Sequence, residues 1–288
     1  MFKILMKREL TPVTKFFVVE APMVARKAQP GQFVIVRVTG NGERIPLTIA
    51  DSEAGAGTVT IVIQEVGKTS RLIGALKEGE SILDLVGPLG RPCPLTDRGP
   101  VVLVGGGFGV APIYPIAKAL RAKGVKVVSI IGARTQDLLI LEPEMASVSD
   151  ELLVATDDGS KGHHGFVTDI LKQLIEAGRD IEHVIAIGPM VMMRAVAKTT
   201  EPFKVKTLVS VDPIMVDGTG MCGACRLTVG GEVKFACVDG PIFDAQLVNW
   251  EEAVRRGKMY AGEQKLAIEK MEKEQLSGKC ACGCGGGH

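Results

Sequence analysis

Near residue 98 the chain changes rhythm, and that change restricts it to two unlike domains in succession. Before it lie short runs rich in Val, Ile and Phe, at 16–20, 32–38, 59–64 and 81–86. Turn signals separate them: Gln29-Pro30-Gly31, Gly40-Asn41-Gly42 and Gly87-Pro88-Leu89-Gly90. Such spacing predicts a small antiparallel β-barrel, interrupted by one helix at 70–76. From Pro100 onward, strands at 101–104, 127–131, 152–155 and 183–187 alternate with helices at 112–123 and 167–177. That alternation predicts a parallel sheet with helices on both faces. The expected fold class is β plus α/β, with a barrel domain at 1–98 and an α/β domain at 99–210.

The stretch VVLVGGGFGVAP (101–112) places Gly105, Gly106, Gly107 and Gly109 after a strand, with Ala111 and Pro112 opening a helix. Glycine lets the backbone turn sharply and approach a pyrophosphate, and the helix N-terminus offers free N–H groups. Asp157-Asp158-Gly159-Ser160 and Gly188-Pro189-Met190 fall where other strands of this sheet end. Asp157 or Asp158 can accept hydrogen bonds from ribose or adenine, or simply form a solvated Asp-Gly turn. Arg134 follows the second strand, where a 2′-phosphate would sit, or is an ordinary surface cation.

In the first domain, Arg44-Ile45-Pro46-Leu47-Thr48 puts a cation and a hydroxyl four residues apart, on one face of a strand. Arg44 can hold a phosphate there, and Thr48 can face a flavin ring nitrogen. Gly67-Lys68-Thr69-Ser70 opens a helix with hydroxyls and a lysine, which suits a second phosphate or an ordinary capped helix start.

Six of the seven cysteines form two tight clusters near the C-terminus. Clustering without a secretory pattern in MFKILMKREL points to metal binding in a reducing compartment, so a cytoplasmic location is expected. Cys222, Cys225 and Cys237 read C-x2-C-x11-C, a spacing that suits iron and sulfide. They define an iron–sulfur segment at 211–250, followed at 251–288 by a charged helix (262–275) and a Cys-rich tail. That helix offers only Leu266, Ile268 and Met271 as apolar points for docking on a surface or partner. The tail, Cys280, Cys282, Cys284 and His288, is either a soft-metal chelator or a flexible end. Cys93 stands alone and reads as a buried thiol. A net charge of +1 and 4% aromatic residues give no footing for nucleic acid. The most apolar run, 101–117, is too short and too rich in Pro and Gly for membrane insertion.

Taken together, RIPLT (44–48), GKTS (67–70), GGGFGVAP (105–112), GPMVMM (188–193) and the cysteine frame resemble the ferredoxin–NADP reductase superfamily. The domain order is similar to that of dihydroorotate dehydrogenase B electron-transfer subunits. It is closer still to small subunits of NADH-dependent ferredoxin:NADP oxidoreductases, a group also called sulfide dehydrogenases. The resemblance implies FAD in the barrel, with Arg44 on a phosphate, Leu47 in the usual aromatic position and Thr48 tuning the flavin. Asp217 stands where related subunits carry the first cysteine of C-G-x-G-x-C-x-x-C, and the resemblance makes it the fourth [2Fe–2S] ligand. An oxygen ligand would move the potential away from the roughly −400 mV of all-cysteine plant-type centres. The implied electron path runs from NAD(H), with NADP(H) also open, through FAD and the cluster to a larger flavin/[4Fe–4S] partner subunit. Ferredoxin and electron bifurcation are implied through that complex. A dihydroorotate-type accessory subunit and a non-enzymatic redox or metal sensor remain as alternatives.

Overall fold

The computed structural model describes residues 1–276. Its first half consists of β1 (Phe2–Thr11), β2 (Thr14–Glu20), β3 (Phe33–Arg37), β4 (Ile45–Glu53), β5 (Thr58–Gln64), β6 (Ser81–Ile82) and β7 (Asp84–Leu89). They form one antiparallel sheet in the order β6-β1-β2-β5-β4-β3-β7. The outer strands β6 and β7 are separated only by Leu83, so the sheet must curl until its two edges meet. The expected barrel follows, filled by Phe17, Val34, Ile49, Ile61 and Ile63. The single strand expected at 81–86 is thus two strands that serve opposite edges. The helix is Lys68–Ala75, and its buried Ile73 packs into the barrel.

The second half carries β8 (Val101–Gly106), β9 (Val127–Ala133), β10 (Glu151–Thr156), β11 (His163–His164), β12 (His183–Ile187) and β13 (Thr207–Ser210). All pair in parallel, in the order β11-β10-β9-β8-β12-β13. The chain builds outward from β8 in one direction, then returns to add β12 on the other side. Strand order therefore reverses between β8 and β12, which opens a crevice at their carboxyl ends. Helices Val110–Ala122 and Glu142–Val148 cover one face through Ile116 and Met145, beside Leu103. Helices Val167–Glu176 and Met190–Thr200 cover the other through Leu171 and Met193, beside Val104. Cys93 is buried in the first of these layers.

The cysteine segment adds β14 (Arg226–Val229), β15 (Glu232–Phe235) and β16 (Ile242–Asp244). Gly230 and Gly231, both at positive φ, turn the β14–β15 hairpin. β16 pairs antiparallel with β13 and extends the nucleotide-type sheet. On the other side, the Arg91 N–H donates to the Gly240 carbonyl at 2.6 Å, and Gly218 packs against Ile35 and Leu89 of the barrel. The segment is stitched to both domains rather than hung from one.

The terminal helix, Ala261–Leu276, returns to the barrel. Met271 is buried, and Glu272 pairs with Arg71 at 2.7 Å, while Leu266 stays exposed. Cys280, Cys282, Cys284 and His288 lie outside the described residues. Among the described residues no helix is long and apolar enough to cross a membrane.

Candidate functional site: a flavin strand, a dinucleotide crevice and a cysteine loop

Register places two of the three predicted regions, the flavin strand and the cysteine loop, side by side. Thr48 on β4 pairs with Phe33 on β3, and Phe33 pairs with Leu89 on β7. Leu89 in turn touches the Gly218 turn of the cysteine loop. Two strand spacings, about 10 Å, therefore separate the backbone at Thr48 from the strand that supports that loop.

On β4, Leu47 points into the barrel core while Pro46 and Thr48 are half-buried on the other face. The Thr48 hydroxyl has no partner among the described residues. Arg44 differs from the sequence expectation: it precedes β4 by one residue and is exposed, without an ion pair or hydrogen bond among the described residues. Lys68 is likewise without one. The Thr69 hydroxyl donates to Glu43 at 2.7 Å, which draws the segment before β4 against the start of the Lys68–Ala75 helix. The two candidate phosphate-binding pieces thus meet, 26 residues apart in sequence. Ser70 is engaged differently: its Oγ accepts from the Gly67 N–H at 2.9 Å and caps its own helix. Free cations beside a helix N-terminus, and a free hydroxyl one strand away, fit a flavin diphosphate and ring. Glu43 gave no sequence signal, because its part is to align Thr69.

In the crevice, Gly105 aligns with Ile187, and the turns after β8 and β12 touch. A side chain on Gly188 would meet the Gly106 carbonyl at 3.0 Å, and one on Gly106 would strike Met192. Gly107 takes the left-handed conformation, with open space beside it. This is a backbone-lined cradle that a pyrophosphate fits. Gly105, Ala111 and Pro112 are buried within it, and Gly105 makes room for Val110 and Ile113. Pro189 is exposed and Met190 begins its helix. Arg134, Asp157 and Asp158 gather at the ends of β9 and β10, where Asp157 N–H donates to the Ala133 carbonyl and Asp158 N–H to that of Arg134. The Ser160 hydroxyl and N–H hold the Asp158 carboxyl below the usual carboxylate range. Asp158 is thereby a turn-former, while Arg134 and Asp157 stay exposed.

Asp212, absent from the sequence reading, follows β13 at this same end of the sheet. The residue is exposed, yet desolvation by the surrounding protein pushes its carboxyl up to about 6. Between the ordinary 3.8 and about 6 the folded chain therefore binds this proton more tightly than the unfolded chain, so stability falls as pH rises through that window. Asp212→Asn should melt higher than the native chain at pH 7.5 and alike at pH 4. The gain should stay within about 1 kcal/mol, because water screens the carboxylate. Thermal melts at the two pH values check the sign.

In the cysteine loop the four candidate ligands stand as two pairs. Cys225 Sγ and Cys237 Sγ are 3.2 Å apart. Two thiolates on one tetrahedral metal with bonds of roughly 2.3 Å would lie roughly 3.7 Å apart. Asp217 and Cys222 form the second pair: the carboxylate accepts from the N–H groups of Thr219, Met221 and Cys222 at 3.0, 3.1 and 2.9 Å. The Thr219 bond leads those that hold Asp217 below the usual carboxylate range. Burial, reinforced by Cys225, pushes the Cys237 thiol up to about 12, so a metal must displace that proton. Among the described residues no three such side chains yet converge at ligating distance. Two pairs on a loop of N–H donors nonetheless fit a two-iron centre, at the plant-type spacing with Asp217 in the first place.

Comparison with known proteins matches the cysteine segment and the α/β domain to two families. The iron–sulfur cluster binding domain of dihydroorotate dehydrogenase B matches residues 212–249, and the oxidoreductase NAD-binding domain matches 103–198. The dihydroorotate dehydrogenase B electron-transfer subunit homolog of Thermotoga maritima is 48% identical over 257 residues, 89% of this chain and 90% of that one. This chain belongs to the dihydroorotate dehydrogenase B electron-transfer subunit family. The Bacillus caldolyticus electron-transfer subunit is 38% identical over 77% of this chain and 88% of its own length. A solved chain from the NADH-dependent reduced ferredoxin–NADP oxidoreductase, described in a study of flavin-based electron bifurcation, is 44% identical. It covers 94% of this chain and 98% of its own, with a TM-score of 0.90. A carbazole-dioxygenase ferredoxin reductase, at 21% identity and TM-score 0.61 over 71% of this chain and 65% of its own, shares the fold. The electron-transfer subunit is thus an oxidoreductase chain for NAD(H), FAD and an iron–sulfur cluster.

Proposed function

We propose that this chain is the small subunit of an NADH-dependent reduced ferredoxin:NADP oxidoreductase, carrying electrons between NAD(H), FAD, a [2Fe–2S] cluster and a larger partner subunit. The observation that carries this reading is the approach of the flavin strand to the cysteine loop through β3 and β7, together with end-to-end similarity to the ferredoxin–NADP oxidoreductase chain. Flavin exchanges hydride with nicotinamide and single electrons with the cluster, while the protein supplies position and electrostatics.

Arg44, Lys68 and the helix start at Gly67 hold the FAD phosphates, and Thr48 donates to or accepts from the flavin ring. Gly106, Gly107 and Gly109 with Gly188 and Pro189 let the dinucleotide approach the backbone, and Arg134 and Asp157 take its adenosine end. Asp217, Cys222, Cys225 and Cys237 ligate the cluster. Around it, Cys222 is exposed and Met221 is 90% exposed, and exposed Val216 and Val238 flank the ligands Asp217 and Cys237 in sequence. An exposed apolar rim at the electron exit suits a docked partner. That partner carries flavin and [4Fe–4S] centres, reaches ferredoxin and performs bifurcation with this chain, in the cytoplasm.

Anaerobic titration of the reconstituted chain with NADH, then NADPH, tests the core of this reading. Flavin bleaching followed by loss of the iron–sulfur absorbance is expected with NADH. A folded, reconstituted chain without a flavin or iron–sulfur spectrum would overturn it and leave the sensor. The dihydroorotate-type reading is favoured by the match at residues 212–249. Reduction of the cluster by dihydroorotate in the isolated native complex would select it.

A further inference from the structure

The helix Trp250–Gly257 lies beyond every motif discussed above, yet it is built against the cysteine loop. Asn249 caps it, with Glu252 N–H donating to the Asn249 side chain at 3.1 Å. One turn on, Glu252 accepts from the Thr228 N–H of β14 at 2.8 Å, which with nearby Arg256 keeps its carboxyl ionised below the usual range. Ala253 is buried in the same core as Cys225 and Cys237. Arg256, one turn after Glu252, donates from Nη2 to the carbonyl of Ala224 at 2.9 Å. Ala224 sits between Cys222 and Cys225, so this bond fixes the peptide that links the two candidate ligand pairs. Arg256 Nε is buried and has no acceptor among the described residues. A buried donor left unpaired is unfavourable, and a purely structural tie to one carbonyl does not require it.

We propose that Arg256 is a positioning residue for the iron–sulfur centre, holding the Cys222–Cys225 turn in ligating shape and keeping a fixed positive charge against it. This rests on the reading of the loop as a cluster site. Reduction adds one electron to the centre, and a nearby cation stabilises the added charge, so Arg256 raises the reduction potential. Other charges lie close by. Glu252 offsets part of the effect, Asp217 is itself a ligand, and Arg226 holds the Gly223 carbonyl at 3.1 Å from an exposed position. Arg226 reaches water and its charge is screened, whereas Arg256 is half-buried.

The test compares reconstituted native chain, Arg256→Gln and Arg256→Lys by iron and sulfide content, EPR-monitored redox titration and the rate of iron loss to a chelator. Arg256→Gln should fold, load iron, shift to lower potential and lose iron roughly 10–100-fold faster, as outer-shell substitutions do. Arg256→Lys keeps the charge but not the planar fork, so its potential should stay near native while iron loss still quickens. Equal potentials and equal loss rates in all three would overturn the role of Arg256. Native chain that folds but holds no iron would instead overturn the cluster reading. If Arg256→Gln fails to fold, Arg256→Lys decides: loss of iron at the native rate sinks the positioning role.

Discussion

Gly109→Ala should weaken nicotinamide binding at least about tenfold. Gly109 has ordinary helical dihedrals, φ −61° and ψ −11°, so alanine meets no backbone strain. What it meets is backbone: the new methyl would strike the Ile187 carbonyl and lie 2.7 Å from Gly188 Cα. Neither neighbour can rotate away, so the turns after β8 and β12 must part. Overpacking of this kind costs about 1–3 kcal/mol even where side chains can adjust, and here the damage falls on the crevice itself. NADH titration should show at least about a tenfold loss of affinity, since 1.4 kcal/mol is tenfold, with a lower melting temperature. Gly107→Ala is the control: its position is open but has φ +54°, so it should cost about 1–2 kcal/mol of strain and leave the turns in contact. Equal NADH affinity in Gly109→Ala and the native chain would show that the two turns need not touch.

Cys225→Ala should remove the cluster altogether, while Asp217→Cys should keep it at a changed potential. Cys225 is 1% exposed and faces Cys237, so no other side chain can take its place. Iron analysis of Cys225→Ala should fall to background, and NADH should still bleach the flavin. Because metal binding contributes to folding, this variant should also melt lower. In Asp217→Cys a thiolate replaces the carboxylate that three N–H groups now hold. The EPR g-values and midpoint should both move; identical spectra would remove Asp217 from the ligand set.

The division into barrel and α/β sheet was legible because turn residues and strand–helix alternation are local signals. β1 was not, since only Ile4 and Thr11 of its ten residues are buried and its sequence lacks alternation. The glycines of the crevice were legible as a group, but their roles were not: Gly105 and Gly109 serve close packing, and Gly107 serves a left-handed turn. Arg44 was placed on the strand, because strand ends carry little signal in a run such as GERIPLT. Asp212, Glu43 and Arg256 could not be read at all. Each matters through neighbours distant in sequence, and a lone charged residue gives no hint of the fold that surrounds it.

The pairing of β16 with β13 makes the cysteine segment more than a carrier of iron. β13 is a central-type strand, with Val209 wholly buried and Val211 just beyond it. A chain ending at residue 210 would expose that strand as a bare hydrogen-bonding edge, ready to template aggregation. Shielding the sheet and wiring it to a partner therefore fall to one peptide, so this lineage could not shed its cluster by simple truncation and keep a soluble nucleotide-binding remnant.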